Sequence, residues 1–408
     1  MYDLIVAGGG PAGMVSGLLF ARAGCRVLVL EKHADFFRDF RGDTVHPSTM
    51  EILQQLGLLD RFLQRPHSRI DGAELRLAGR DWRIGDLSHL HTPAPFIAMM
   101  PQWDFLDFIR DEAVKYAGFR LEMSAPVASF LDDGYRVSGV RLADGRELQA
   151  KLTLAADGRT SLVRSMLPVR TLGSEIDVLW FRLAKAPGNG PGGLRGNVVR
   201  GAVLVMIDRN EYWQCAFVIP KGAAADLRNK GIEHVRGAIA AAAPDLDLSG
   251  LTAIDDVKLL SVTLDRLERW WKPGLLAIGD AAHAMSPIGG VGINLAVQDA
   301  VAAANRLAAP LAAGDPLDRL LGEVQKRRVL PTRVIQAAQK LAQERVIGRL
   351  LEPGAPILDA PVIVKLLDRC PSLRRIPGRL IGLGLCRERV RSTQSENSYS
   401  SEQPRRDG

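Results

Sequence analysis

The sequence has few residues that could cross-link a fold through disulfides or metal ions, and no segment that could anchor it in a bilayer. Its four cysteines among 408 residues are scattered, without a CxxC pair, so neither a disulfide scaffold nor a cysteine zinc site is expected. No apolar run approaches the roughly 20 residues that cross a bilayer, and no basic region precedes the first apolar stretch. These absences predict a cytoplasmic protein in a reducing compartment.

Most of the chain carries nearly equal numbers of positive and negative side chains. The net charge is +7, and residues 361–408 alone hold ten Lys or Arg against five Asp or Glu. The remainder is nearly neutral, which argues against a nucleic-acid-binding face on the main body. Metal ligands are scarce too. No cluster of Cys or acidic partners lies near His89 and His91, so we expect a surface loop there and no metal site.

The N-terminus holds the most informative pattern that is present. Residues 3–7 form a short apolar run typical of a buried parallel strand, and a glycine-rich turn, a helical pattern and a second strand ending at Glu31 follow. In this context Gly-x-Gly-x-x-Gly predicts dinucleotide binding. Gly8 would permit the tight turn, Gly10 the approach of a pyrophosphate, and Gly13 the packing of helix on strand. The candidate binding residues are Gly8, Gly10, Pro11, Ala12, Gly13, Glu31 and Lys32.

Two later strands end in polar motifs. One strand is followed by Asp157-Gly158, and another ends in Gly279-Asp280, after which a glycine turn at 287–294 leads into a helix. Taken alone, Asp157 in a turn or Asp280 as a helix N-cap is also what an ordinary loop shows. Occurring together and in order, each after a strand, the motifs favour one shared ligand site.

With these motifs the sequence resembles the class A FAD-dependent monooxygenases, the p-hydroxybenzoate hydroxylase-like aromatic hydroxylases. The resemblance rests on GGGPAG at 8–13, Asp-Gly at 157–158, and Gly-Asp at 279–280 followed by P-x-x-G-x-G-x-N at 287–294. It covers roughly residues 1–345. It implies FAD as cofactor and NAD(P)H as a transiently docking electron donor, and no second Gly-x-Gly-x-x-Gly unit follows a strand.

The resemblance also implies roles for individual residues. Glu31 would hold the adenosine ribose, Gln102 would contact FAD, and Asp157 would lie near the pyrophosphate. Asp280 would bind the ribityl chain. Arg41 would reach the pyrophosphate and the flavin edge, with a solvated loop arginine as the alternative. The further cofactor-binding positions are Gly279, Pro287, Gly290, Gly292, Ile293 and Asn294, of which the last five would line the isoalloxazine.

The predicted fold class is α/β: a Rossmann-like FAD-binding domain, an inserted antiparallel β-sheet substrate domain and a helical C-terminal region. The FAD-binding domain would comprise residues 1–69, 101–168 and 260–345, and the substrate domain residues 70–100 and 169–259. Helices would follow over 346–391, and 392–408 would be a disordered tail. The substrate sheet would be built from strands at 178–183, 198–207 and 213–219, with a glycine-rich loop at 187–193.

The resemblance implies that NAD(P)H reduces the flavin and that O2 forms a C4a-hydroperoxide, which hydroxylates an aromatic, phenolic or quinone-like substrate, lipophilic or not. Apolar side chains of the second sheet would face this substrate. They are Trp180, Phe181, Val203, Val205, Trp213 and Phe217, with Arg182 and Gln214 as polar contacts. His46 is either an active-site neighbour with a catalytic role or simply a histidine at a helix entry. No residue stands out as a base.

Three other functions fit parts of the sequence. A polyprenyl-reductase-like FAD dehydrogenase or reductase would share every FAD motif. A halogenase would be expected to carry GWxWxIP, which is absent. A flavin-binding protein without turnover would not need the complete segment at 287–294.

The C-terminal stretch mixes apolar and basic residues over 362–381. It would either rest on an anionic membrane surface or cover a lipophilic substrate entrance, with a packed and solvated helix pair as the alternative. Pro371 and Pro377 interrupt any single long amphipathic helix. A monomer and a homodimer are both compatible with the sequence.

Overall fold

The computed structural model confirms a mixed α/β fold. It describes residues 1–37, 43–77, 80–174, 176–185, 194–199, 202–209, 211–244, 246–351 and 360–395. Its α-helices are α1 (Pro11–Arg22), α2 (Pro47–Gln55), α3 (Leu59–Leu63), α4 (Gln102–Ala113), α5 (Ala224–Asn229), α6 (Ile232–Ala242), α7 (Gly292–Ala313), α8 (Asp318–Ala342), α9 (Gly348–Leu351), α10 (Val362–Arg369) and α11 (Pro371–Gly382).

The strands alternate with these helices in the first part of the chain and follow one another in the middle part. They are β1 (Tyr2–Ala7), β2 (Val27–Leu30), β3 (Thr44–Val45), β4 (Ser68–Ile70), β5 (Gly72–Leu77), β6 (Arg80–Asp86), β7 (Ile97–Met99), β8 (Phe119–Glu122), β9 (Val127–Asp132), β10 (Val137–Leu142), β11 (Glu147–Ala155), β12 (Val169–Thr171), β13 (Ile176–Ala184), β14 (Leu194–Val199), β15 (Ala202–Asp208), β16 (Tyr212–Pro220), β17 (Lys258–Leu260), β18 (Asp265–Leu267), β19 (Trp271–Lys272), β20 (Leu275–Ala277) and β21 (His283–Ala284).

The central sheet has the strand order β19-β20-β11-β1-β2-β8, and β9 and β10 extend it beside β11. β1 pairs in parallel with both β2 and β11. Residues 4–7 of β1 are fully buried, as expected for an apolar parallel strand covered on both faces. This arrangement brings the carboxyl ends of β1, β2, β11 and β20 to one edge of the sheet, where the predicted ligand-binding motifs begin.

The second sheet has the order β17-β13-β16-β15-β14-β5-β6 and is antiparallel apart from the β14–β5 pair. Phe181, Trp213 and Phe217 lie on the face that packs against α5 and α6, in a core with Val235 and Ile239. The prediction that these three aromatic residues face the substrate is therefore wrong. Because apolar residues occupy both faces of these strands, alternation could not tell one face from the other.

The predicted single strand at 198–207 is two strands of a hairpin. β14 and β15 pair from Leu194–Ile207 to Val199–Ala202, so the chain reverses within this stretch. A single glycine at 201 is a weak turn signal between two β-branched runs, so the sequence pattern predicts one continuous strand there. The predicted loop at 187–193 lies outside the described residues.

The C-terminal segment first follows the second sheet and then returns to the first domain. α11 packs directly on β6, because a Cβ at Gly378 would lie 1.9 Å from the carbonyl oxygen of Asp86. Farther on, the backbone N–H of Ser395 donates to the carbonyl of Arg22 at 3.0 Å, and Arg22 donates to the carbonyl of Ser392. Residues 392–395 are thus held by hydrogen bonds, in contrast to the predicted start of disorder at 392.

A buried carboxylate on α7 joins three elements below the ligand-binding edge. Asp299 accepts hydrogen bonds from the backbone N–H of Gly279 at 3.0 Å and from Nε of Arg328 at 2.8 Å, and it contacts Nε2 of His283 at 2.6 Å. Burial acts to raise the pKa of Asp299, but His283 and Arg328 outweigh it and hold the pKa below its usual value. The carboxylate therefore stays ionised within the core.

We expect Asp299→Asn to lower the free energy of unfolding by about 3–5 kcal/mol, because it removes the nearer counter-charge of the buried Arg328 guanidinium and leaves only Glu388, 3.7 Å away. Urea unfolding monitored by circular dichroism measures this change. Glu147→Gln is the matched control, since its ion pair with Arg141 is about half exposed and its loss should cost about 0–1 kcal/mol. Equal effects of the two substitutions would contradict the assignment of Asp299 as a structural node.

Candidate functional site

In the first glycine loop, Gly8 and Gly13 are required by the packing of the protein itself, whereas Gly10 borders free space. Gly8 has a φ of +109°, and a Cβ on it would lie 2.4 Å from the carbonyl oxygen of Ala156. A Cβ on Gly13 would lie 1.9 Å from the carbonyl oxygen of Gly8. A Cβ on Gly10, in contrast, would meet no atom within 4 Å. The space left at the N-terminus of α1, where Pro11 starts the helix, is where an anion is stabilised by free backbone N–H groups.

The acidic residue at the end of β2 lies against this loop. The Glu31 carboxylate accepts hydrogen bonds from the backbone N–H groups of Gly9 at 2.9 Å and His33 at 3.1 Å. Lys32 is exposed beside it, and its charge acts on Asp157 across the cleft. The first strand-turn-helix unit therefore has the local geometry that the glycine pattern predicts.

Asp157 follows β11 and has one unused oxygen. Its Oδ2 accepts from the backbone N–H of Leu162 at 3.0 Å, whereas its Oδ1 is buried and has no hydrogen-bond partner. Burial raises the pKa of the Asp157 carboxyl, and the hydrogen bonds from Ser161 and Leu162 only partly oppose this. A buried acceptor without a donor is matched by a ligand hydroxyl or N–H group.

Asp280 lies in a 3-10 turn, Gly279–Ala281, next to two arginines that the sequence analysis missed. Arg159 donates from Nε to the Asp280 carboxylate at 3.1 Å, and its Nη1 is buried without a partner. Arg164 donates to the Asp280 carbonyl at 2.9 Å and pairs with Asp265. Their position in D-G-R-T-S-L-V-R, directly after the Asp-Gly motif, was the available signal. The arrangement brings two arginine–carboxylate pairs, Arg159–Asp280 and Arg164–Asp265, to the same turn.

The turn Ile288–Gly290 precedes α7 and is held from one side. The carbonyl of Gly290 accepts from Oγ1 of Thr44 at 2.8 Å and lies 3.0 Å from Nε2 of His46. Asn294, in the first turn of α7, accepts from the hydroxyls of Ser48 and Thr49. Two of the predicted flavin-lining positions, Gly290 and Asn294, are thus fixed to β3 and the start of α2. The others, Pro287, Gly292 and Ile293, lie beside them in the same segment.

His46 lies behind this turn and is fully buried. Its Nδ1 is 2.9 Å from the carbonyl oxygen of Ile381 on α11, and its Nε2 faces Gly290. Both ring nitrogens therefore face backbone carbonyls, and neither is open to a substrate. This geometry favours a positioning role at the entry of α2 over a catalytic one.

Gln102 and Arg41 are the two remaining predicted cofactor contacts. Gln102 begins α4 and is half-buried, and its backbone is hydrogen-bonded to the Asp43 carboxylate. Arg41 lies outside the described residues.

The five predicted substrate residues lie on one face of the second sheet. Strand register places Ala216 between Trp180 and Val205, and Arg182 beside Gln214. Trp180 and Val205 pack in the same apolar cluster as Ile288 of the turn before α7. Nε1 of Trp180 is buried without a hydrogen-bond partner. This face is formed by Trp180, Arg182, Val203, Val205 and Gln214.

A buried ion pair connects this face to the first domain. Arg209, just after β15, pairs with Asp43 and donates from Nε to the side-chain oxygen of Gln214 at 3.1 Å. Burial raises the pKa of Asp43, and Arg209 opposes this shift. Because Asp43 and Arg209 are far apart in sequence and belong to no motif, nothing in the sequence marked the pair.

The described residues show neither a metal-ligand cluster nor a membrane-spanning helix. Across the ranges that the structure covers, no three His, Cys, Asp or Glu side chains come together as metal ligands. In the same ranges, none of the helices combines the length and the apolar character needed to cross a bilayer.

Taken together, the parallel sheet, the glycine loop at its edge and the second sheet facing the α7 turn define a Rossmann-like flavoprotein. A family model described as FAD binding domain matches residues 1–338, and the chain therefore belongs to this family. It is an FAD-dependent monooxygenase of the class that its motifs resemble.

The similarity to known proteins extends over nearly the whole chain. The chain is 32% identical over 396 residues to 6-methylpretetramide 4-monooxygenase of Streptomyces rimosus, covering 93% of this chain and 91% of that protein. In fold it is similar to p-nitrophenol 4-monooxygenase of Pseudomonas putida, with a TM-score of 0.75, 22% identity and coverage of 96% and 99%. A flavin-dependent halogenase is also similar in fold, with a TM-score of 0.73, 21% identity and coverage of 97% and 74%.

Gly10 and Gly13 differ in the space around them, and this difference predicts the effect of replacing each with alanine. We expect Gly10→Ala to leave the stability of the cofactor-free protein unchanged, because the new methyl group meets no protein atom. It should weaken FAD binding about tenfold, since crowding a packed contact costs about 1–3 kcal/mol. Titration with FAD, followed by quenching of its fluorescence, measures this change.

Gly13→Ala is the control, because its methyl group would clash with the Gly8 carbonyl and lower the melting temperature even without FAD. Unchanged FAD affinity in Gly10→Ala would show that the free space at Gly10 is not the phosphate site.

Proposed function

We propose that this protein hydroxylates a polycyclic phenolic or aromatic compound, with NAD(P)H as electron donor and O2 as oxygen source. The observation that carries this proposal is the apolar cluster shared by Ile288 and the sheet residues Trp180 and Val205. This cluster supports a site in which the predicted flavin-lining turn and the apolar face of the sheet lie close together. The relative named for 6-methylpretetramide supports a substrate of the aromatic polyketide type.

The residues around the glycine loop fit FAD. We propose that the N-terminus of α1 at Gly10 binds the pyrophosphate, that Glu31 accepts from the adenosine ribose, and that the unpartnered Oδ1 of Asp157 accepts a further ligand hydrogen bond. Asp280 would bind the ribityl chain. When bound, FAD supplies the redox chemistry that inserts one oxygen atom into the substrate.

The protein's own contribution would be orientation and exclusion of water. The turn at 288–290 and the N-terminus of α7 would bear on the flavin ring, where the helix dipole favours negative charge. On the opposite side, Val203, Val205 and Trp180 would hold the aromatic rings of the substrate in a dry environment. The unpartnered Nε1–H of Trp180 would donate to a substrate oxygen.

A transient encounter with NAD(P)H is part of the proposal. Arg159 and Arg164 pair with Asp280 and Asp265, so their charges are balanced, but the buried Nη1 of Arg159 has no hydrogen-bond partner. This N–H group would donate to a phosphate oxygen of the nucleotide.

We expect the purified FAD-loaded protein to oxidise NADPH or NADH faster in the presence of 6-methylpretetramide. With isotopically labelled O2, mass spectrometry should find one labelled oxygen atom in the product. A reductase would yield a reduced product without labelled oxygen, and a halogenase a product that forms only with added halide. A flavin-binding protein without turnover would oxidise no NAD(P)H with any substrate. Each of these three results would contradict the proposed hydroxylation.

We also propose a partner surface on the C-terminal helices. On α10, Val362 is 81% exposed and Ile363 53% exposed, and on α11 Ile376 is 65% exposed. Arg375 and Arg379 are exposed on the same stretch of α11. Aliphatic side chains flanked by arginines are typical of a helix that lies in the interface of an anionic membrane.

The acidic residues of this segment support the same partner. Within 360–395, eight Lys or Arg accompany two carboxylates. Asp368 accepts from Arg80 of β6, and Glu388 pairs with Arg327 of α8, so both carboxylates are turned toward the body of the protein. The outward charge of the two helices is therefore positive, which favours an anionic lipid surface for docking.

We expect the protein to cosediment with phosphatidylcholine–phosphatidylglycerol vesicles and not with phosphatidylcholine vesicles. Arg375→Glu with Arg379→Glu should weaken this binding more than about tenfold, since each basic residue at an anionic surface contributes about 1 kcal/mol. Val362→Glu should also weaken it, whereas Val114→Glu, at an exposed valine on another helix end, should not. Light scattering tests the alternative: a dimer that Val362→Glu dissociates would show that a second copy covers this face.

A further inference from the structure

The imidazole of His46 occupies a position where two elements compete for one proton. Its Nδ1 lies 2.9 Å from the carbonyl oxygen of Ile381, and its Nε2 lies 3.0 Å from that of Gly290. Both atoms opposite the ring are acceptors, so each contact needs an N–H on the ring. Burial lowers the pKa of His46 to about 4, and at neutral pH the ring therefore carries a single N–H.

A neutral ring can satisfy only one of the two carbonyls at a time. If the proton is on Nε2, His46 holds Gly290, and the lone pair of Nδ1 faces Ile381. If the proton is on Nδ1, the ring holds Ile381 instead, and Gly290 keeps only its hydrogen bond from Oγ1 of Thr44 at 2.8 Å. The two hydrogen bonds are alternatives, and the position of the proton decides between them.

The two carbonyls belong to elements that also touch each other. The side chain of Ile381 lies 3.7 Å from the position of a Cβ on Gly289, so α11 packs on the turn at 288–290. On its other side α11 is closely fitted to the sheet domain and the α2 entry, because a Cβ on Gly382 would lie 2.8 Å from the side chains of Leu87 and Leu90. A movement of α11 therefore reaches the turn at two points, through this packing and through His46.

We propose that His46 is a positioning residue that couples the C-terminal helix α11 to the turn at 288–290, because its single N–H is either on Nδ1, facing the Ile381 carbonyl, or on Nε2, facing the Gly290 carbonyl. The inference rests on the proposed function in one respect: the turn is taken to face the flavin. Displacement of α11 removes the Ile381 acceptor and admits water, which takes the proton from Nδ1 and returns one to Nε2, so that the ring holds Gly290. Docking of α11 reverses this exchange through the same water and leaves the turn to Thr44.

Three substitutions at position 46 separate the two contacts. The side-chain nitrogen of His46→Asn comes near the place of Nδ1 and keeps the donor to Ile381. That of His46→Gln comes near the place of Nε2 and keeps the donor to Gly290. His46→Phe keeps the ring volume and neither donor. Thr44→Val is the matched control, because it removes a donor to Gly290 and leaves the contact to α11 intact.

Hydrogen–deuterium exchange on the cofactor-free protein measures both contacts. Peptides that cover α11 should exchange faster in His46→Gln and more slowly in His46→Asn, because each variant makes one of the two alternative hydrogen bonds permanent and removes the other. Peptides that cover 288–294 should change in the opposite sense, and Thr44→Val should accelerate their exchange about tenfold, as expected for loss of one buried hydrogen bond. His46→Phe should accelerate both regions. In parallel, the dissociation constant of FAD should rise about tenfold in His46→Asn and stay unchanged in His46→Gln.

A purely structural role would give a different pattern. Both regions would then change together in the Asn and Gln variants, in proportion to the loss of stability, and this result would overturn the proposal. Exchange that changes in neither region would overturn it as well. If His46→Phe does not fold, the Asn and Gln pair still decides. Failure of the unmodified protein to bind FAD would refute the proposed function, while the exchange data would still test the coupling.

Discussion

The ion pair between Asp299 and Arg328 is the interaction on which the rest of the site depends. It lies in the core, where an isolated charge is strongly disfavoured, so α7 and α8 must hold the two groups together. The same carboxylate binds the backbone of Gly279 and thereby sets the conformation of the Gly-Asp turn. Because α7 also carries Asn294 and follows the turn at 288–290, one buried charge connects the Gly-Asp turn to the helix that follows the turn at 288–290.

The two faces of the second sheet are covered by different parts of the chain. One face of the sheet, with Phe181 and Phe217, is closed by α5 and α6 and forms a core. The other face, with Trp180 and Val205, packs in a separate cluster that includes Ile288 of the turn before α7. Because side chains on the two faces alternate along each strand, a substitution on the face that we propose for the substrate removes no side chain from the core under α5 and α6. The buried Asp43–Arg209 pair connects the end of β15 to the start of β3.

Sequence reasoning reached the parts of the molecule that obey local rules. Glycines at 8, 10 and 13, an acid after β2 and polar residues after β11 and β20 follow from turn geometry and from the chemistry of phosphate binding. Six apolar residues of the second sheet are predicted to face the substrate, and the structure divides them between the two faces, with Trp180, Val203 and Val205 on one and Phe181, Trp213 and Phe217 on the other. Alternation does not place Arg182 and Gln214. Which face is covered depends on the position of α5 and α6, and this is set by contacts between distant residues.

The residues that sequence reasoning missed share one property. Arg209 and Asp43, or Arg328 and Asp299, acquire their roles only when strands and helices from different parts of the chain meet. His46 shows the same limit from the other side: the sequence placed it near the flavin segment, and only the structure showed that its two nitrogens face two backbone carbonyls. A histidine so placed has no nitrogen left for substrate chemistry.

The C-terminal helix α11 lies between solvent on one side and the turn at 288–290 on the other. Outward, α11 presents Ile376 and two arginines to solvent. Inward, it contacts Gly289 and His46 through Ile381. The exposed surface of α11 and the turn before α7 are therefore connected through a single helix. The membrane docking that we propose and the coupling that we propose through His46 both act on the position of this helix, so a change in one is expected to alter the other.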